Sequence, residues 1–308
     1  MSWLFFSIAT ALLWGAAELF YKKGALPNEK YSHLKICVWV GVVMGAHAIF
    51  TLLTKDIGYN PVNLLVYLPV SLLYIISMAF SYFGMRFLEE SISDPIENTS
   101  GAICSLLCVI LLKESLSPLS VIAIIIIVIG VLGVGFLENK GETQRKKNLG
   151  KKLAIIAFCM PFLYAIIDAV GCVLDIYYLE EASSPLLKMG ANADNIELVA
   201  NVSYELTFAL VGLVMFIFMK VKGVKFGNLL AQKDKGLAAV CETAGQLTYV
   251  YAMASGHGNI AAPIISGVCV VSLILSRIFL KEKLSKKQYI FIGIIIVGIL
   301  MLAVLEGE

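Results

Sequence analysis

The sequence predicts an all-α integral membrane protein of ten transmembrane helices arranged as two inverted five-helix repeats. Three observations carry this: the number and length of the apolar runs, a self-similarity at a constant offset, and a one-sided distribution of basic residues. Of 308 residues, 59% are hydrophobic and only 15% charged, and the mean hydropathy is +0.86. Soluble domains carry about a quarter charged residues to keep a polar surface.

A helix needs roughly 20 apolar residues to cross the hydrocarbon core. Ten such runs occur, at about 3–21, 36–54, 63–86, 93–112, 118–137, 153–178, 196–219, 236–255, 259–280 and 288–305. The N-terminal run "MSWLFFSIATALLW" lacks the basic segment and small-residue cleavage site of a signal peptide, and reads as the first span. Most connections are short. "ENKGETQRKKNLGKK" (138–152) is basic and polar and divides the chain near its middle, and 179–195 is the longest polar stretch between spans. The expected organisation is a first repeat over 1–137, a linker over 138–152, and a second, inverted repeat over 153–308.

The two halves align without a gap from Ile92 to Val131 and from Ile260 to Ile299. Pro95 meets Pro263, Lys113-Glu114 meets Lys281-Glu282, and Gly130 meets Gly298, all 168 residues apart. "LWGAAE" (Leu13–Glu18) and "LYAIID" (Leu163–Asp168) match at an offset of 150. Five spans per half is odd, so the second copy must be upside down, the usual plan of secondary carriers. All basic residues but Lys55, Lys113 and Lys188, out of 24, fall on one side of the ten spans. The basic side is expected to be cytoplasmic, which puts both termini outside and the chain in the cell (plasma or inner) membrane as a multi-pass protein.

On "LLWG", its counterpart "FLYA", and the paired tails "LLKESLSPLSVIAIIIIVIGV" and "FLKEKLSKKQYIFIGIIIVGI", the chain resembles the drug/metabolite transporter superfamily, specifically its ten-helix EamA-type members. The resemblance implies a carrier of small metabolites working by alternating access, and it does not imply a substrate. Ten-helix members usually keep both termini in the cytoplasm, and the charge bias of this chain argues the reverse.

Ionisable side chains within a span cost a few kcal/mol each and are functional candidates by default. Glu18, Glu97, Asp168, Asp175, Glu205 and Glu242 lie within spans, against only His47 and, at span ends, Arg86 and Arg277. Trp14 precedes Glu18, and Tyr164 precedes Asp168, by one helical turn, so the repeat duplicates an aromatic-plus-carboxylate pair suited to a cation. Lys22 at i+4 offers Glu18 a plain ion-pair role instead. Glu242, Gln246 and Tyr249 form a polar stripe at i, i+4 and i+7, and Asn201 with Glu205 forms another. Both read as site walls or as hydrogen-bond glue between helices. "SDPIEN" reads as a capping box with Asp94 at the N-cap, Pro95 at N1 and Glu97 at N3, or, by analogy with "AAPIIS", as the inside of a helix that starts earlier. His47 reads as a proton relay or as packing, and Gly41-x-x-x-Gly45 as a dimer face or as packing within the chain.

The seven cysteines form no CxxC pair and read as small buried hydrophobes, with no metal site. No nucleophile elbow, HExxH, Walker or Rossmann motif occurs, so no catalytic residue is expected and the chain is expected not to be an enzyme. The expected substrate- or ion-binding set is Trp14, Glu18, His47, Glu97, Tyr164, Asp168, Asp175, Glu205, Glu242, Gln246 and Tyr249. It serves a secondary active transporter of a small, cationic or amine-bearing metabolite. The alternatives are a neutral or zwitterionic solute (amino acid, sugar or nucleotide-linked) with the acids as proton sites, and a membrane enzyme acting on lipid or amine head groups. No cofactor is expected beyond a coupling proton. Expected partners are the small-molecule substrate and membrane lipid, without nucleic acid, in a monomer or homodimer.

Overall fold

The computed structural model describes residues 2–26, 28–88, 90–137, 151–180, 184–279 and 285–305. All regular elements among them are helical. Apolar runs in lipid leave the backbone no water to bond, so each run closes its own N–H···O=C ladder. The helices are α1 (Ser2–Gly24), α2 (Ser32–Thr54), α3 (Val62–Val66), α4 (Leu68–Gly84), α5 (Glu90–Glu97), α6 (Ser100–Leu107), α7 (Pro118–Leu137), α8 (Lys151–Leu179), α9 (Ile196–Val221), α10 (Lys233–Met253), α11 (Gly258–Ile265), α12 (Val268–Phe279) and α13 (Lys286–Leu305). A π-helical turn, Cys108–Leu112, extends α6.

Each of the ten expected runs is occupied by one helix or by a broken pair. Seven spans are long and apolar enough to cross a membrane among the described residues, with shorter apolar helices at Leu68–Gly84 and Pro118–Val134. The remaining run forms α10, which carries Lys233, Asp234, Lys235 and Glu242. The linker over 138–150 and the Lys281-Glu282 pair lie outside the described residues.

Two runs are broken at matching places. Pro95 lies inside α5 and Pro263 inside α11, and each helix ends two residues beyond its proline. Proline withholds an amide donor and crowds the preceding turn, which weakens the helix there. The capping-box reading of "SDPIEN" is therefore corrected: the helix begins by Glu90 and Glu97 is its last residue. Glu97 instead accepts hydrogen bonds from Ser81 Oγ at 2.7 Å and Ser93 Oγ at 2.6 Å.

The most extensive helix contacts are α1 with α10, α2 with α9, α7 with α13 and α4 with α8, and α6 packs against α8 and α11. The α7–α13 crossing is close because glycine removes the Cβ on both sides. A Cβ on Gly130 would come within 3.1 Å of Ile295 N, and one on Gly298 within 3.2 Å of Ile127 N. Gly41 likewise meets Phe208 O and Gly212 on α9, so its small-residue pattern serves packing within the chain.

At the basic end, the α1–α2 loop is strapped to two helices. Glu29 bonds Lys35 of α2 and lies 3.4 Å from Lys235 of α10. Both lysines are buried. Burial alone would push the Glu29 carboxyl up, but the hydrogen bond from Lys35 and the charges of Lys235 and Lys35 outweigh it and hold it below the usual carboxylate range.

Two predictions follow from this packing. Gly298→Val overpacks the α7–α13 crossing and lowers the thermal midpoint in detergent, by the equivalent of about 1–3 kcal/mol. Gly293→Val, whose Cβ meets nothing within 4 Å, leaves the midpoint unchanged. A depressed carboxylate stabilises the fold above its unfolded-state value, and that contribution is lost as pH falls through the lower folded value. Glu29→Gln therefore lowers the midpoint at neutral pH, and its difference from wild type closes below about pH 4.

Candidate functional site

The paired helices enclose a central cavity of about 110 Å³. Both halves of the chain line it, and so do both helix breaks. Asn98, Ser100 and Gly101 reach it from the α5–α6 break, and Ile265, Ser266 and Val268 from the α11–α12 break. Interrupted helices at the midplane put backbone dipole ends beside a ligand, which is how carrier sites are commonly built.

Four carboxylates line the cavity: Glu18 from α1, Glu97 from α5, Asp168 from α8 and Glu242 from α10. Seven aromatic side chains share the wall: Trp14, Tyr21, Tyr74, Tyr82, Tyr164, Tyr204 and Tyr249. No lysine, arginine or histidine lines it among the described residues. Hydroxyl groups donate to three of these acids. Tyr21 Oη donates to Glu242 at 3.4 Å, and Tyr82 Oη donates to Tyr21 Oη at 3.0 Å. Ser77 Oγ lies 3.5 Å from Asp168, whose carboxylate Ser100 and Tyr164 also reach.

The aromatic wall is held in register by close packing. Trp14 lies against Tyr249 with ring centroids 5.0 Å apart, in the space left by Gly245. A Cβ on Gly245 would come within 2.6 Å of the Trp14 Nε1. Tyr74 stands edge-on to both Tyr204 and Tyr249, at 6.1 and 6.0 Å between centroids.

Of the residues expected from sequence, Trp14, Glu18, Glu97, Tyr164, Asp168, Glu242, Gln246 and Tyr249 line the cavity. Asp175, Glu205 and His47 do not. Asp175 is fully buried next to it, accepting hydrogen bonds from Tyr67 and, at 3.4 Å, from Tyr74. Tyr74 Oη in turn meets Tyr249 Oη at 2.6 Å, and both tyrosines line the cavity. Glu205 and His47 bond one another at the α2–α9 crossing.

Sequence reasoning missed Tyr74, Tyr82, Tyr204, Met78 and the small residues Ser100 and Ser266. One signal was available, since a tyrosine hydroxyl inside an apolar span needs a partner. A second correction concerns the cysteines. Cys104 of α6 and Cys172 of α8 are joined in a disulfide, with Cα atoms 6.1 Å apart, and Cys172 lines the cavity. They lie 68 residues apart in sequence, so spacing alone hid a proximity created by the packing of α8 on α6. The other described cysteines are free, and Cys159 is exposed rather than buried.

An all-helical body with apolar outer faces, broken helices and a charged central cavity defines the class as a multi-span membrane transporter. The chain belongs to the EamA-like transporter family, whose model matches residues 1–136 and 183–304. It is 32% identical over 99 residues to a protein of Methanocaldococcus jannaschii described as uncharacterized, covering 30% of this chain and 72% of that one. A crystal structure of another protein has the same fold, at a TM-score of 0.70 and 15% identity over 98% of this chain and 96% of that one.

The geometry around Trp14 makes its own prediction. Gly245→Ala drives a methyl group into the indole and displaces it from Tyr249. Tryptophan fluorescence of the purified protein changes in emission maximum, while Gly293→Ala leaves the spectrum unchanged.

Proposed function

We propose that this protein is a secondary carrier for a small organic cation, amine-bearing or quaternary, bound in the central cavity. The single observation that carries this reading is the lining: four carboxylates and seven aromatic faces with no basic side chain among the described residues. A cation gains from the acids by charge and from the rings by cation–π attraction. A solute bearing its own carboxylate would meet like charges with no partner, which disfavours amino acids relative to simple amines.

Alternating access fits the helix pairing. The α1–α10 and α4–α8 contacts exchange under the repeat, and α2–α9 and α7–α13 each pair a helix with its own counterpart. Gly130 against Ile295 and Gly298 against Ile127 are one contact made twice, at the 168-residue offset seen in the sequence. This supports two inverted five-helix repeats over 1–137 and 153–308, which rock about a fixed site. In that scheme the Tyr67–Asp175–Tyr74–Tyr249 layer closes one end, and the Tyr82–Tyr21–Glu242 bonds with the Glu29 strap close the other. The basic end faces the cytoplasm, by the charge rule. A proton serves as the coupling ion, and no other cofactor is invoked.

Counterflow in proteoliposomes tests the reading, with radiolabelled tetraethylammonium and 1,4-diaminobutane as probes. At least one exchanges through the wild type. Asp168→Asn lowers that rate by about tenfold or more, the worth of one interaction of roughly 1.4 kcal/mol, while Lys188→Ala at the exposed outer loop does not. Exchange of a neutral or zwitterionic solute with no movement of either cation would overturn the proposal.

A further inference from the structure

An acid–base pair lies on the α2–α9 crossing, outside the cavity. His47 Nδ1 sits 2.7 and 2.9 Å from the two carboxylate oxygens of Glu205. The Glu205 side chain is fully buried, whereas that of His47 is 30% exposed. The pair lies where α2 crosses α9, one helix from each half of the chain. His47 is seven residues from the end of α2 at Thr54, about 10 Å at 1.5 Å per residue. Neither residue lines the cavity.

We propose that His47–Glu205 is a dedicated proton-binding site, separate from the substrate cavity, through which a pH gradient acts on transport. The inference rests on the carrier reading above and locates its coupling proton. Imidazole is the side chain whose charge changes near neutral pH. Its partly exposed ring can exchange protons while its partner carboxylate stays inside. With the imidazole protonated, the two charges cancel at the crossing. Without that proton, one negative charge is left buried between two helices of different halves. A charge change at an interface between moving parts is what biases a two-state equilibrium.

The surroundings leave the pair as the main local determinant. The other charge acting on His47 is Lys55, just beyond the end of α2, and α9 brings Glu205 itself. Elements packed on the crossing from α1, α3, α4, α8 (with Asp168 and Asp175) and α10 (with Glu242) add no further charge to the pair among the described residues. Tyr59, in the loop after α2, bonds Ser203 Oγ at 3.0 Å rather than the pair. Asn201 is buried one turn before Glu205.

The link to the cavity is one residue long. Tyr204, next to Glu205, is part of the cavity wall, reaches Met78 Sδ at 3.4 Å, and stands against Tyr74. Tyr74 also donates to Asp175 at 3.4 Å, in the layer to which the carrier reading assigns the closing of one end. A shift of α9 caused by charge at Glu205 therefore moves both the wall and the closure.

Two measurements test this. Proteoliposomes are assayed with radiolabelled 1,4-diaminobutane, once by counterflow without a gradient and once under an imposed pH gradient. His47→Gln and Glu205→Gln keep counterflow within about twofold of wild type and lose roughly tenfold or more of the gradient-driven accumulation. Gradient-driven accumulation that survives in both variants overturns the proposal. Loss of counterflow in both, in protein that stays monodisperse, also overturns it, because the pair would then act in translocation itself. The second measurement needs no substrate. The chain has three histidines, so ¹⁵N-imidazole NMR of the purified protein can isolate His47 by its absence in His47→Gln. Its resonances titrate between about pH 5 and about pH 9, and the midpoint moves in Glu205→Gln. Resonances that do not titrate overturn the proposal. If the wild type moves no probe at all, the carrier reading fails, and the NMR titration alone decides the pair.

Discussion

The structure turns on the cost of placing carboxylates around a cavity that no basic side chain lines among the described residues. An ionised side chain in hydrocarbon is expensive, so such residues must face a cavity, a hydrogen-bond donor or a ligand. Here four of them converge on one space, and hydroxyls of the surrounding chain donate to three of them. Ser77, Ser81, Ser93, Tyr21, Tyr67 and Tyr74 all donate to buried acids. Hydroxyl donors satisfy a carboxylate's lone pairs but leave its charge in place. On the proposed reading, the cavity keeps a net attraction for positive charge.

The helix arrangement follows from the same requirement. A cavity at the midplane needs helices that stop inside the membrane without stranding backbone groups against lipid. The proline-bearing breaks after Glu97 and Ile265 do this in matching places, and the freed chain faces the cavity. Around it, glycines at the α7–α13 and α2–α9 crossings let the outer helices close tightly. The Glu29 strap works at the basic end, where water is near and ion pairs replace hydroxyls.

Much of the fold was legible in the sequence because hydrophobic run length and the 168-residue offset are properties of the chain alone. Trp14, Glu18, Tyr164 and Asp168 were legible in the same way, since a polar residue in an apolar run stands out and its duplication marks it twice. Three kinds of feature were hidden. The break after Glu97 depends on how α5 and α6 pack, and local spacing suggested a capping box instead. The Cys104–Cys172 bond and the His47–Glu205 pair are contacts between helices distant in sequence. Tyr74, Tyr82 and Tyr204 look like ordinary aromatics in a greasy span until the packing shows which way they face. Asp175 was visible as a buried acid, but only the geometry places it in a tyrosine-bonded layer beside the cavity rather than in its wall.

The claim on which the account depends is that the interior selects positive charge. Calorimetric titration of the purified protein with three four-carbon compounds isolates that property: 1,4-diaminobutane, 1,4-butanediol and succinate have similar length and differ in charge. The account predicts that the diamine binds, the diol binds at least about tenfold more weakly, and succinate gives no heat of binding. Succinate or butanediol binding as tightly as the diamine would contradict it.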